Sequence, residues 1–261
     1  MYVPEDGWQL HPIAGGSGET YMGIKENEKV FLKRNSSPFI TTLSAEGITP
    51  KLMWTQKTYS GDTLVAQEWK NGHVLSREDM SQDSVKNIIM TIHHSEHLLQ
   101  MLRRVGGQTF RPVDFIQAYF DDLPEHLQTH LFFNEVIHYL EDAVHDYFYD
   151  VDLCVCHGDL HHNNFLFDEE SKNLYVVDWE NVRIADPLSD LTYLLLQYFP
   201  PREWTTWLAD YQFDMDHAFY QRVKWYSLIN CLYLIKQFYK EGRYHKVNET
   251  VLRLKSIYQT H

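Results

Sequence analysis

Apolar and polar positions divide the chain into two stretches with different periods. From residue 7 to 69 the apolar residues come in short runs, bounded by glycine and polar turn formers, as half-buried strands do. Residues 8–14 read as a strand and Gly15-Gly16-Ser17-Gly18 as a turn. Residues 20–25 and 29–33 read as a hairpin around Glu26-Asn27-Glu28, and 52–59 with 63–69 as another around Ser60-Gly61-Asp62. Between the hairpins, Ser36-Ser37-Pro38 predicts a short helix with Ser37 as cap and Pro38 at its first position, ended by Gly47. After Trp69 the period lengthens. Residues 70–73 read as a connector. Residues 81–105 carry Val85, Ile88, Ile89, Ile92, Leu98, Leu99 and Leu102 at helical spacing, up to Gly106-Gly107. Residues 124–149 repeat the pattern with Leu127, Leu131, Val136, Ile137, Leu140 and Val144. Short strands are expected again at 150–180, then helices at 189–198, 201–211, 216–239 and 245–258. The expectation is an α+β chain: residues 1–70 a small antiparallel sheet with one helix, residues 71–261 a larger, mostly helical part.

Composition narrows the function classes. At 261 residues the chain can bury a sizeable core. Its net charge is −13, and no stripe of Lys and Arg interrupts it, which argues against a nucleic-acid polymer as ligand. The first residues show no basic and apolar leader pattern, and no apolar run reaches membrane-spanning length, so no membrane insertion is expected. Three cysteines, Cys154, Cys156 and Cys231, fit a reducing cytoplasm better than a disulfide framework.

The chemistry concentrates in one segment. His157-Gly158-Asp159-Leu160-His161-His162-Asn163-Asn164 is followed by Tyr175-Val176-Val177-Asp178-Trp179-Glu180. An Asp and an Asn at this spacing, and a second Asp ending an apolar strand, are what phosphoryl transfer needs: a base for the attacking hydroxyl and two oxygen ligands for Mg²⁺. Each residue alone is an ordinary loop cap. The two spacings together, each following a strand, point to Asp159 as the base and to Asn164 and Asp178 as metal ligands.

A zinc reading of Cys154, Cys156, His157, His161 and His162 meets two objections. Cys-x-Cys is tighter than the usual zinc pair, and alternation along a strand is expected to point the ligands to opposite faces. His93-His94-Ser95-Glu96-His97 falls inside the expected helix and reads as a solvated or packed face.

The motif resembles the aminoglycoside phosphotransferase and choline kinase family, relatives of the protein kinases. That family shows His-Gly-Asp-x-x-x-x-Asn, strand-Asp-Trp or Phe, then Asp-Pro and Asp-Leu, and this chain continues Ile184-Ala185-Asp186-Pro187-Leu188-Ser189-Asp190-Leu191. The resemblance covers nearly the whole chain, more weakly before residue 70. It implies a bilobal protein-kinase-like fold, ATP and Mg²⁺ as cofactors, and transfer of the γ-phosphate to a hydroxyl of a small molecule. It implies that Asp190 braces the catalytic loop, that Lys33 in Val30-Phe31-Leu32-Lys33 binds phosphate, and that Gly15, Gly16, Ser17 and Gly18 cover the phosphates. It puts Gln67, Glu68 and Trp69 at the adenine-binding connector. The family also places a Glu in the first helix to pair with the Lys. Residues 38–45 contain no acidic residue, so either Glu46 serves from the helix end or Lys33 is held otherwise.

For the acceptor, His157, Trp179, Glu180 and Gln197 are candidate contacts. Choline, ethanolamine, an aminoglycoside and a ribose-like sugar are the candidate classes. Gln197 stands where choline kinases carry a Glu, and a neutral amide suits a sugar hydroxyl better than a cation. The tail 246–261 is mildly basic, unlike the acidic ends of aminoglycoside enzymes. These points favour a ribosyl or nucleoside acceptor. The chain is also similar to the choline-kinase-like cell-cycle regulators of Gram-positive cocci, which implies a cell-division protein partner. The joint presence of Lys33, Asp159, Asn164 and Asp178 favours catalysis over a pure scaffold. No Ala-Pro-Glu segment follows Asp178, which argues against a protein kinase.

Overall fold

The computed structural model describes residues 7–13, 20–26, 28–58 and 61–259. The Gly15-Gly16-Ser17-Gly18 turn lies outside them. The chain folds into two compact units that interleave along the sequence. One comprises Met1–Ile88, Gln100–Val105 and His162–Asn181, the other Ile89–Leu99, Gly106–His161 and Val182–His261. A single cut after residue 70 therefore does not describe them. Among the described residues no helix is long and apolar enough to cross a membrane.

The first unit is built on an antiparallel sheet of β1 (Gln9–Pro12), β2 (Thr20–Lys25), β3 (Glu28–Arg34), β4 (Leu52–Lys57) and β5 (Thr63–Glu68), in the order β1-β2-β3-β5-β4. Both predicted hairpins are present. The inward residues Val30, Leu32 and Ala66 are fully buried with Trp8, and Leu10, Tyr21 and Trp54 close over them. The helix α1 (Ile40–Ala45) starts later than expected. Pro38 and Phe39 form a preceding turn in which the Ser37 hydroxyl accepts the Phe39 N–H at 3.3 Å, so Ser37 caps the turn rather than the helix. Gly47, at φ +70°, ends α1 as predicted.

The connector at residues 70–73 is not a plain loop. Gly72–Val74 forms β6, which pairs with β8 (Phe165–Asp168), itself paired with β9 (Leu174–Val176). A Cβ on Gly72 would stand 2.0 Å from the Phe167 carbonyl oxygen, so only glycine lets the strands approach. This pairing assigns residues 162–181 to the first unit.

The second unit is helical around one short ribbon. Its elements include α4 (Pro112–Phe120), α5 (Glu125–Gln128), α6 (Leu131–Asp142), β7 (Cys154–Cys156) and β10 (Arg183–Ala185), then α7 (Leu188–Tyr198), α8 (Pro201–Ala209), α9 (His217–Lys240) and α10 (Tyr244–Gln259). The helix α9 is buried all round from Trp225 to Leu232, as a central helix must be. Phe115 and Phe148 pack edge-on to Trp225, and Asn230 ties α9 to α7 through the Ser189 carbonyl and the Thr192 hydroxyl.

Two expected helices are divided. The stretch 81–105 breaks into α2 (Asp83–His93) and α3 (Glu96–Arg104), with the Ser95 hydroxyl capping α3 by accepting the Leu98 N–H at 3.2 Å. The stretch 124–149 resolves into α5, α6 and a short turn, and Leu131, expected on the apolar side, is 86% exposed at the start of α6.

Candidate active site

The predicted residues fall into two constellations, one in each unit. In the first unit, the β8–β9 hairpin places Asn164 just before β8 and Asp178 just after β9. The Val177 N–H donates to the Asn164 carbonyl at 2.9 Å, which fixes both residues at the same end of the hairpin. Asp178 adopts φ +65°, a left-handed conformation that a non-glycine residue takes at some cost.

Lys33 leaves the end of β3 and lies 2.7 Å from Asp178 Oδ1 and 2.7 Å from Glu180 Oε1. Burial works to lower its pKa, but the hydrogen bonds and charges of Asp178 and Glu180 prevail and hold it above the ordinary lysine value. Glu46 sits exposed at the C-terminal end of α1. The carboxylate that the helix lacks is supplied by the segment after β9. Glu180, expected to touch the acceptor, instead pairs with the lysine.

Two other predicted contacts in this unit, Trp179 and Gln67, are buried. Trp179 is buried edge-on against Phe39, and its indole N–H donates to the Val176 carbonyl at 2.9 Å, so its ring packs in the core rather than facing an acceptor. Gln67 is buried, and its amide donates to the Thr49 hydroxyl and the Pro50 carbonyl. The Glu68 N–H donates to the Lys51 carbonyl, while its carboxylate pairs with Lys70 at 3.0 Å. Trp69 follows β5 directly, at the connector.

In the second unit, β7 is an apolar, wholly buried strand that delivers His157-Gly158-Asp159. Gly158, at φ +83°, turns the chain sharply. Asp190, buried on the first turn of α7, accepts the His157 N–H on Oδ2 at 2.7 Å and the Gly158 N–H on Oδ1 at 2.9 Å. His93 Nε2 lies 3.3 Å from the same Oδ2. Burial pushes Asp190 up, and the hydrogen bond and charge of His93, with the charges of Arg183 and His157, outweigh it, so its carboxyl sits below the ordinary range. His157 is itself buried, and its Nδ1 accepts the Asp159 N–H at 3.3 Å.

Both oxygens of Asp159 have neighbours. The Tyr193 hydroxyl is 3.0 Å from Oδ1 and His161 Nε2 is 3.3 Å from Oδ2. Burial tends to raise the Asp159 pKa, but the hydrogen bonds from His161 and Tyr193 and the charges of His161 and His157 hold it below the ordinary carboxylate value. Tyr193 also lies 3.2 Å from Gln237 Oε1, and the Gln197 amide reaches the Tyr193 carbonyl at 3.1 Å and the Leu160 carbonyl at 3.5 Å. The sequence reading gave Tyr193, His161 and Gln237 no role beside Asp159. Tyr193 could have been given one, since it sits three residues beyond Asp190 on one helix and so on a neighbouring position of its face.

Strand alternation does not separate Cys154 from Cys156. Residues two apart share a face, and their sulfurs are 3.7 Å apart.

The donors of the first constellation, Asp178, Glu180 and Asn164, all offer oxygen, with the two carboxylates half exposed. Such hard ligands fit Mg²⁺.

Comparison with known proteins bears on the family and the fold. A family model described as the phosphotransferase enzyme family matches residues 11–226. The choline kinase LicA from Streptococcus pneumoniae is similar in structure, with a TM-score of 0.69 at 20% identity, covering 95% of this chain and 93% of that one. A choline/ethanolamine kinase family protein from Mesorhizobium loti gives 0.65 at 17% identity, over 97% and 88%. The GDP complex of wild-type aminoglycoside 2'-phosphotransferase-IIIa gives 0.62 at 15% identity, over 97% and 94%.

Proposed function

The chain belongs to the phosphotransferase enzyme family, and from that premise we propose that it transfers the γ-phosphate of ATP to a hydroxyl of a small neutral molecule, of ribosyl or nucleoside type. The observation that carries this reading is Asp159, a partly exposed loop carboxylate whose two oxygens lie beside Tyr193 and His161.

Asp159 orients the acceptor hydroxyl and takes its proton. A carboxylate has about four lone-pair sites, so the two existing contacts leave room for a third donor. Its lowered pKa makes it a weak base at neutral pH. That suits a loose transition state, in which proton transfer follows bond cleavage to the leaving group. Asp190 keeps the loop in place without touching the reacting atoms. Lys33 binds phosphate oxygens, and Asp178 and Glu180 hold it extended before nucleotide arrives. Asn164, Asp178 and Glu180 would hold Mg²⁺, which supplies charge neutralisation for the phosphates.

The neutral acceptor is supported by the groups beside Asp159. Gln197, Tyr193 and Gln237 are hydrogen-bonding but uncharged. A quaternary ammonium would want aromatic faces and a carboxylate around it, and Trp225, Tyr226 and Trp207 are buried in the core. A second reading, a choline or ethanolamine acceptor, is favoured by the likeness to the two choline kinase structures.

ADP release with Mg·ATP across ribosides, nucleosides, choline, ethanolamine and aminoglycosides tests both. Turnover on ribosides or nucleosides is expected. Turnover on choline alone would replace the first reading by the second, and turnover on none would refute both.

A further inference from the structure

We propose that His93, Cys154 and Cys156 form a buried zinc site in the second unit, separate from the phosphoryl-transfer residues. The ligand atoms of these three residues all lie within 4.8 Å of one another, and all three side chains are buried. No step assigned to Asp159, Lys33 or Asp178 uses either sulfur.

The geometry favours zinc over a plain thiol pair in three respects. The Cys154 and Cys156 sulfurs are 3.7 Å apart. Two thiolates each about 2.3 Å from a tetrahedral zinc stand about 3.8 Å from each other, so the pair is already spaced as two corners of that polyhedron. A disulfide needs the sulfurs at about 2.05 Å, which this strand does not provide. The third corner has the outer partner that a zinc-bound imidazole usually has. His93 Nε2 faces the Asp190 carboxylate at 3.3 Å, which would leave Nδ1 as the ligand nitrogen once zinc replaced its contact with the Tyr211 hydroxyl at 3.4 Å. A carboxylate on the far nitrogen fixes the tautomer and raises the basicity of a metal-bound histidine. Finally, two thiolates and one neutral imidazole neutralise a divalent cation, so the metal and its three ligands would add no net charge beside Asp190. Binding releases the two thiol protons to solvent.

The choice of ion follows from ligand softness. Mg²⁺ takes oxygen and is not expected here, whereas thiolate with imidazole selects zinc. The site would join the end of α2 to the strand that feeds the catalytic loop. Its histidine shares the Asp190 carboxylate with the His157 and Gly158 amides. Zinc is therefore expected to act on stability, loading as the chain folds.

The test is elemental analysis and Co²⁺ substitution of the full chain, refolded with each metal alone and freed of excess by gel filtration. The proposal expects about one zinc per chain, a thiolate-to-cobalt charge-transfer band in the Co²⁺ protein, and a higher Tm with zinc than without. Cys154→Ser with Cys156→Ser should remove the band and at least about nine-tenths of the zinc, while Cys231→Ser keeps both. Wild-type protein without retained zinc, or a Co²⁺ spectrum without a thiolate band, would overturn the proposal even if the double variant did not fold. So would equal zinc in the double variant. Because this readout needs neither ATP nor acceptor, its failure is distinct from failure of the kinase reading.

Discussion

The Lys33 ammonium lies 2.7 Å from Glu180 Oε1, a carboxylate that arrives from beyond β9 rather than from α1. The lysine is largely buried while Glu180 and Asp178 are half exposed, so solvent screens these pairs and their contribution to stability is small. Their value is positional. Lys33→Met is expected to lower kcat/KM for Mg·ATP by about 10²–10³-fold, as loss of one aimed charge does, while Tm moves little. Steady-state kinetics with a thermal melt checks this. A large fall in Tm with intact kinetics would show that the lysine serves the fold instead.

Tyr193 donates to the oxygen of the base that His161 does not face. Tyr193→Phe removes one hydrogen bond to a charged group, worth about 1.5–3 kcal/mol, so kcat should fall by about ten- to a hundredfold. The KM for nucleotide should stay unchanged. The Asp159 pKa should rise, since a hydrogen bond that favours its charged form is gone. An acid limb of the pH–rate profile that moves to higher pH in the variant would carry that signature.

Asp190 holds two backbone N–H groups and a histidine from full burial. Asp190→Ala leaves the two amides without a partner at about 1–3 kcal/mol each. Unfolding in urea should therefore show a loss of at least about 2 kcal/mol. The pH dependence has a definite sign. The folded carboxyl titrates below its ordinary value of 3.8, so the stabilisation is fully present above that value and is lost as pH falls through the lower, folded one. Asp190→Asn should flatten the acid side of the stability profile below about pH 4.

Trp179 separates packing from recognition. Its ring is buried against Phe39, so Trp179→Ala should cost about 3–5 kcal/mol of stability, and the milder Trp179→Phe should leave the KM for acceptor unchanged. A rise in acceptor KM without loss of stability would return Trp179 to the substrate site.

Where local signals agree with the fold, the sequence shows it. The hairpins of β2–β3 and β4–β5 combine alternation with turn residues, and Asp159 and Asp178 follow strands while Asn164 immediately precedes one. What stayed hidden depends on distant partners. Apolar spacing runs straight through His94-Ser95, so only the Ser95 cap reveals the break between α2 and α3. Gly72-His73 carries no strand pattern, and it becomes a strand because β8 lies beside it. The partner of Lys33 is 147 positions away at Glu180, beyond the reach of any local spacing rule. Trp179 reads as a ligand contact because of its neighbour Asp178, although the short turn at Trp179–Asn181 and the indole bond to the Val176 carbonyl hold it in the core.

The central claim, that Asp159 is the base of a phosphoryl transfer, is tested most directly by Asp159→Asn, measured for turnover on the best acceptor and for Mg·ATP affinity by calorimetry. The account predicts a fall in kcat of about 10²–10⁴-fold with nucleotide affinity unchanged. Turnover equal to that of the wild type would contradict it.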